Sequence, residues 1–344
     1  HRGKVWAIGS LLTLVVIGIG LYFLFTQETF DNEPHELEQE KTIAEHILTG
    51  NQDGTLRLIS VESNQTVDEM TLPDGHYVYQ MSKNYETLYV YNGTEVKAYE
   101  VKRGEIREGE VIASIEVENV ESFKVDGETI AFLSNNDSHL TLIYPDSGGI
   151  STREIETDES VIDYGVKEQQ LLYSTSEHLH VVKPNGEQVL EIGDITPTIL
   201  TTESKWVISN LFGSGLDSNT LMVLDEEDNL IEDVSTTENK ETMLLDFDQG
   251  EEEIYTTHYV EATEPYHLLT TWYLENNQLT KETDMTIRIP VKEDGILYDH
   301  QTSVTGGNYL YTHFDDRVQI FDIRSQQVHA NIETDIYFAK PILK

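Results

Sequence analysis

Cysteine is absent from the 344 residues. That excludes disulfides, thiolate nucleophiles and Cys-ligated zinc or iron–sulfur centres. An exported protein without cysteine must rely on its core, which this length and a 38% hydrophobic content allow. Basic side chains are also scarce: 22 Lys and Arg stand against 63 Asp and Glu, a formal charge of −41. Phosphate recognition rests on Lys and Arg, so no nucleic-acid partner is expected. A negative field of this size is screened by counterions or cationic partners, and it equally suits a solvated surface in a salty or alkaline exterior.

Motifs that carry chemistry are missing too. A serine hydrolase places its nucleophile on a Gly-x-Ser-x-Gly turn. Only Gly213-Ser-Gly215 comes near it, and that segment is too short and lies in a polar loop. Gly148-Gly149 and Gly306-Gly307 read as turn glycines, because no Lys-Ser/Thr or helix follows to cradle a phosphate. Residues 246–253 hold Asp246, Asp248, Gly250 and Glu253 but lack the oxygen spacing of an EF-hand loop, and Asp225 to Asn229 reads as a charged hairpin tip. His178 and His180 are the one close histidine pair; on a strand, alternate residues share a face, and a metal would need a third ligand from elsewhere. Asn64, Asn92 and Asn136 begin glycosylation sequons, all in expected turns. No catalytic, cofactor-binding or metal-ligating residue is assigned, and no cofactor is expected.

One long apolar run is present. Residues 5–25 are uncharged and rich in Leu, Ile, Val, Gly and Phe. As a helix they would extend roughly 31 Å, close to the thickness of a bilayer's hydrocarbon core. The run ends Tyr22-Phe23-Leu24-Phe25 without a small-residue cleavage site, so an uncleaved anchor is expected. His1, Arg2 and Lys4 precede it and acidic residues follow, which puts the N-terminus in the cytoplasm and the remainder outside. Trp6 and Tyr22 sit near its ends. Residues 26–42 read as an acidic spacer interrupted by Pro34.

From about Ile43 the chain changes to short alternating runs of Val, Ile, Leu, Tyr and Thr separated by Asn-Gly, Asp-Gly and related turns, a β signature throughout. Seven hairpin-forming runs start at residues 56, 96, 140, 179, 221, 268 and 318, at intervals of 40, 44, 39, 42, 47 and 50. Propeller blades of four antiparallel strands repeat at roughly 40–50 residues. Residues 121–125 and 161–164 fit innermost strands and residues 187–192 an outer one. The first hairpin has room for only three strands, whereas residues 336–343 form an orphan strand-like tail. That tail is expected to complete the first blade, with Pro341 keeping the pairing short.

The best-formed run, Val318-Gln-Ile-Phe-Asp-Ile-Arg-Ser-Gln-Gln, resembles the repeats of the broad WD40-like and YVTN-like seven-bladed β-propeller group: an apolar run, an aromatic–Asp pair and a polar turn. Phe321 stands where WD repeats have tryptophan, and Asp322 and Arg324 are read as turn and edge residues. The expected fold is therefore all-β, a seven-bladed propeller over residues 43–344 behind a single transmembrane helix. The resemblance implies a fold shared by scaffolds, lectins, hydrolases and quinone-dependent dehydrogenases. The leading expectation is a membrane-anchored, non-enzymatic scaffold outside the cytoplasm, with the lipid bilayer and a protein or envelope component as partners. A propeller enzyme (calcium-dependent lactonase or ester hydrolase, or quinone-dependent dehydrogenase) and a structural subunit of a surface or secretion assembly are the alternatives.

Overall fold

The computed structural model describes residues 43–73, 75–82, 85–102, 104–191, 197–201, 206–210, 220–224, 230–235, 242–248, 253–260, 266–275, 278–287, 303–305, 309–314, 317–322, 325, 327–333 and 337–342. The anchor expected at residues 5–25 and the spacer at 26–42 lie outside them. Among the described residues no helix is long and apolar enough to cross a membrane.

Every described element is a strand. The first sheet holds β1 (His46–Gly50), β2 (Thr55–Ser60) and β3 (Gln65–Thr71), and the second β4 (Val78–Met81), β5 (Thr87–Tyr91), β6 (Glu95–Lys102) and β7 (Glu105–Ser114). The third is β8 (Val120–Asp126), β9 (Thr129–Ser134), β10 (His139–Asp146) and β11 (Gly149–Glu156); the fourth is β12 (Asp163–Lys167), β13 (Gln170–Ser174), β14 (His178–Lys183) and β15 (Gly186–Glu191). The fifth contains β16 (Pro197–Thr201), β17 (Trp206–Asn210), β18 (Thr220–Leu224) and β19 (Leu230–Ser235), and the sixth β20 (Thr242–Asp248), β21 (Glu253–Val260), β22 (Tyr266–Glu275) and β23 (Gln278–Ile287). The seventh has β24 (Ser303–Thr305), β25 (Tyr309–Phe314), β26 (Arg317–Asp322) and β27 (Gln327–Glu333), and the chain's last strand is β28 (Phe338–Ile342). Six sheets run through four consecutive strands, and the remaining one has the order β28-β1-β2-β3. This is the architecture of a β-propeller.

Burial explains why the repeat is legible. In β2, β14 and β26 the second, fourth and fifth residues are buried and the others half-buried, the same pattern in third strands of three blades. Second strands lie deeper: all six residues of β9 are buried, whereas β3, β11 and β27 are mostly exposed outer edges. Those edges carry charged residues between their apolar ones, a pattern that discourages edge-to-edge aggregation.

A sheet with two apolar faces must cover both, and the core accordingly lies between blades. One layer sets Leu48, Leu56 and Leu58 of the first blade against Leu88, Val90 and Tyr99 of the second. Another joins Tyr91 and Val96 to Phe123 and Phe132, with the Tyr91 and Phe132 rings 4.9 Å apart. Further layers link the third blade to the fourth and the fourth to the fifth. Ile47, Ile59 and Ala339 of the first blade pack with Tyr311, Val318 and Ile320 of the seventh. That contact joins the two ends of the repeat, and Ala44 N–H donates to Tyr311 Oη across it at 2.7 Å.

β28 pairs antiparallel with β1 from His46↔Ile342 to Gly50↔Phe338. Pro341 falls opposite Ile47 in this edge strand, where a missing amide is tolerated. One strand starts later than the sequence pattern implies: the inner strand of the fourth blade is Asp163–Lys167, not residues 161–164. Val161 N–H is engaged by Asp137 O at 2.6 Å and Ile162 N–H by Ser174 O at 2.8 Å, so these residues belong to the preceding linker.

Deleting residues 337–344 would expose β1 as an unpaired inner edge and uncover Ile47. The truncated protein is expected to aggregate or lose its cooperative thermal transition in circular dichroism and size-exclusion chromatography. Tyr311→Phe removes the hydroxyl that accepts from Ala44 N–H and should cost about 0.5–1.5 kcal/mol in urea denaturation.

Candidate functional site

Antiparallel order sends all linkers between blades, and all turns from second to third strands, to one end of the sheets. Main-chain hydrogen bonds tie three described linkers to their own blade's turn: Leu72 N to Gly54 O at 2.9 Å, Ile115 N to Thr94 O at 2.9 Å and Thr157 N to Ser138 O at 3.0 Å. This linker end comprises residues 51–54, 92–94, 115–119, 135–138, 157–162 and 175–177 with the linker before Val78. It carries Asp53, Glu116, Glu118, Asp137, Asp158, Glu159 and Glu177, and among the described residues of these segments there is no Lys or Arg. The opposite end has Lys102, Lys167 and Lys183 at strand termini, with Lys102 Nζ 3.2 Å from both Glu86 and Glu100.

The linker end also holds four left-handed residues that are not glycine. Asn135, Asn136 and Asp137 are consecutive left-handed residues, with φ of 57°, 58° and 60°, and Asn119 beside them has φ 51°. Asn and Asp tolerate this region better than most residues because their short side chains bond locally. Glu121 accepts from Asn136 N–H, and its contact with the Asp137 carboxyl pushes its pKa above the ordinary carboxylate range. Ser176 Oγ donates to Glu159 Oε2 at 2.8 Å, a contact that lowers the Glu159 pKa.

Toward the axis, innermost strands of three blades share one polar network. Lys124 Nζ on β8 lies 3.0 Å from Asp163 Oδ1 and also donates to Tyr164 O. The same Asp163 Oδ1 accepts from Tyr164 N–H at 2.8 Å, while Oδ2 accepts from Ile199 N–H of β16 at 2.7 Å. Tyr164 Oη is 2.8 Å from Ser122 Oγ, and Lys124 Nζ stands 4.8 Å from its ring centroid. Burial raises the Tyr164 pKa, so the phenol stays protonated as a hydrogen-bonding group. The arrangement binds blades three, four and five together.

At the first-to-second blade seam, Tyr79 stacks with Tyr77 and meets the edge of Tyr337, with ring centroids 6.3 and 6.2 Å apart. Tyr79 Oη donates to Asn51 O at 2.7 Å, and burial raises its pKa. Sequence patterning does not reveal this aromatic group, because Tyr337 belongs to the tail and the other two to the first inter-blade linker and strand.

The residues singled out in the sequence fall as follows. His178 and His180 lie on β14 with ring centroids 6.0 Å apart, but His180 stacks on Tyr173 and its Nδ1 is 2.9 Å from Glu187 Oε1. Among the described residues no group of three His, Asp or Glu is placed to hold a metal ion. Asp246 and Asp248 belong to β20 and Glu253 opens β21, with residues 249–252 outside the described set. Residues 213–215, 225–229, 306–307 and Arg324 are also outside it. Asn64, Asn92 and Asn136 stand in turns, and Gly149, with φ 125°, opens β11. Asp322 closes β26 and accepts from Ser325 N–H at 3.2 Å.

No family model and no curated protein matches the chain. Solved structures do match. A functionally unknown protein from Desulfotomaculum acetoxidans aligns at a TM-score of 0.56 and 11% identity, over 86% of this chain and 98% of that one. A candidate 6-phosphogluconolactonase from Bacteroides uniformis aligns at 0.52 and 11% identity, over 87% and 99%. The β-propeller domain of Cps50 (Swd1) from Myceliophteria thermophila gives 0.47 and 12% identity, over 85% and 93%. At these identities a likeness shows the fold alone, and the propeller reading of the described residues rests on their seven four-stranded antiparallel sheets.

Asp163→Ala is expected to destabilise the protein by about 1–3 kcal/mol, because it removes the acceptor of the Ile199 amide and the carboxylate partner of Lys124. Glu108→Ala breaks an exposed pair with Lys97 and should cost about 0–1 kcal/mol. Equal shifts of the two variants in urea denaturation would contradict the role given to the inner network. Separately, Asp137→Asn should return the Glu121 carboxyl toward its ordinary range in an NMR titration; an unchanged Glu121 would contradict their contact.

Proposed function

We propose that the chain is a membrane-anchored scaffold whose propeller stands outside the cytoplasm and binds a cationic protein or envelope component through its linker end. The observation that carries the reading is the charge asymmetry between the two ends. Among the described linker residues the carboxylates stand without Lys or Arg, whereas at the opposite end Lys102, Lys167 and Lys183 stand among Glu62, Glu86, Glu128 and Glu168. Complementary charge accelerates encounter and selects partners more than it adds affinity, so binding here is fast and salt-sensitive. A rigid ring of blades suits the task, since it presents loops from several blades on one surface without refolding. The apolar run at residues 5–25 supplies the tether, and the cations before it set the orientation.

The test uses the full chain in membrane vesicles. External protease should remove the propeller from vesicles whose outer surface corresponds to the cell exterior and spare it in inverted ones. With polylysine as a cationic probe, changing Glu116, Glu118, Asp158 and Glu159 to their amides should weaken binding and flatten its salt dependence. The same change at Glu62, Glu128 and Glu168 of the opposite end should have a smaller effect. Equal effects at both ends, or protection of the propeller in both vesicle orientations, would overturn the proposal.

A further inference from the structure

An asparagine whose side-chain oxygen gathers three donors occupies the turn between β5 and β6, independent of the scaffold reading. Asn92 is followed by Gly93, whose φ is 96° and at which an added Cβ would meet nothing within 4 Å. The Asn92 side-chain oxygen, Oδ1, accepts three hydrogen bonds: Thr94 N at 3.0 Å, Thr94 Oγ1 at 3.1 Å and Glu95 N at 2.9 Å. The turn is held in place from both sides. Tyr91 Oη donates to Gly93 O at 2.8 Å, Asn92 N–H reaches Glu95 O at 3.2 Å, and Ile115 N–H reaches Thr94 O at 2.9 Å. Donors converging on a carbonyl oxygen stabilise the negative charge that develops there when its carbon is attacked.

We propose that Asn92 is a site of spontaneous deamidation, in which the fold supplies an oxyanion-stabilising set of donors to its own side-chain amide. The Gly93 backbone nitrogen loses its proton to solvent base and bonds to Asn92 Cγ. Oδ1 carries the resulting charge against Thr94 and Glu95. The Cγ–Nδ2 bond then breaks, and nitrogen leaves as ammonia after taking a proton. Water opens the cyclic imide at either carbonyl, giving aspartate or isoaspartate. No redox partner is needed, and the product adds one carboxylate to the linker end. Gly93 suits this chemistry because it presents no side chain against the attacking nitrogen. Asn185-Gly186, in the turn between β14 and β15, provides an internal reference: among the described residues no hydrogen bond reaches the Asn185 side chain.

The test is peptide mass spectrometry on the full chain, aged folded in mildly alkaline buffer and, in parallel, unfolded in urea. In the folded protein Asn92 should convert faster than Asn185, and the rate should rise with pH. Thr94→Val removes one of the three donors and should slow Asn92 conversion roughly 2- to 10-fold in the folded protein, the effect of one hydrogen bond, while leaving the urea rate nearly unchanged. Because Thr94→Val can alter the turn itself, circular dichroism melting of the variant is measured alongside. A native-like melt with an unchanged folded rate would overturn the proposal, as would conversion of Asn92 only after unfolding.

Discussion

The pairing of β28 with β1 is the contact on which the ring depends. Each blade has two apolar faces, and each inter-blade layer covers one face from either side. A linear array of such sheets would leave one bare face at each terminus. Five residue pairs between the chain's last strand and its first remove that problem, because β28 brings Ala339 into the layer shared with Tyr311, Val318 and Ile320. Backbone pairing and apolar burial act together here. The strand supplies the edge that β1 lacks, and the layer behind it supplies the free energy.

The acidity acquires a partly structural meaning. Asp68 Oδ2 accepts from Ile106 N–H at 2.7 Å, Asp126 Oδ2 from Glu168 N–H at 2.9 Å and Asp163 Oδ2 from Ile199 N–H at 2.7 Å. Each carboxylate reaches from one blade to an amide of the next. A buried or half-buried N–H without an acceptor is costly, and a charged acceptor makes a stronger bond than a neutral one. Some carboxylates therefore cement blade seams, whereas those at the linker end remain available to solvent or a partner.

Much of the fold was legible because its period is expressed in side-chain burial. In the 318–328 run, Val318, Ile320 and Phe321 are buried on β26, and the same pattern at β2 and β14 makes the repeat visible without reference to any family. The tail was recognisable because its alternating residues had no partner strand nearby in sequence. Innermost strands were harder to place. Gly165 and Lys167 interrupt the apolar pattern of β12, and Val161 mimics a strand residue while serving in a linker. The candidate site was less legible still. The Asp163 network joins residues 124, 163 and 199, whose proximity follows from blade stacking and not from local spacing. The three left-handed residues at 135–137 showed only as a polar turn.

The absence of cysteine allows a direct test of ring closure. His46→Cys combined with Ile342→Cys places the only two thiols of the chain at directly paired positions of β1 and β28. Opposed strand residues lie within the range that a disulfide can bridge. Mild oxidation of the folded double variant should give a monomeric, internally cross-linked chain, detected by non-reducing electrophoresis and peptide mapping. Failure to cross-link in the folded state, or formation of intermolecular disulfides alone, would contradict closure of the propeller by its C-terminal strand.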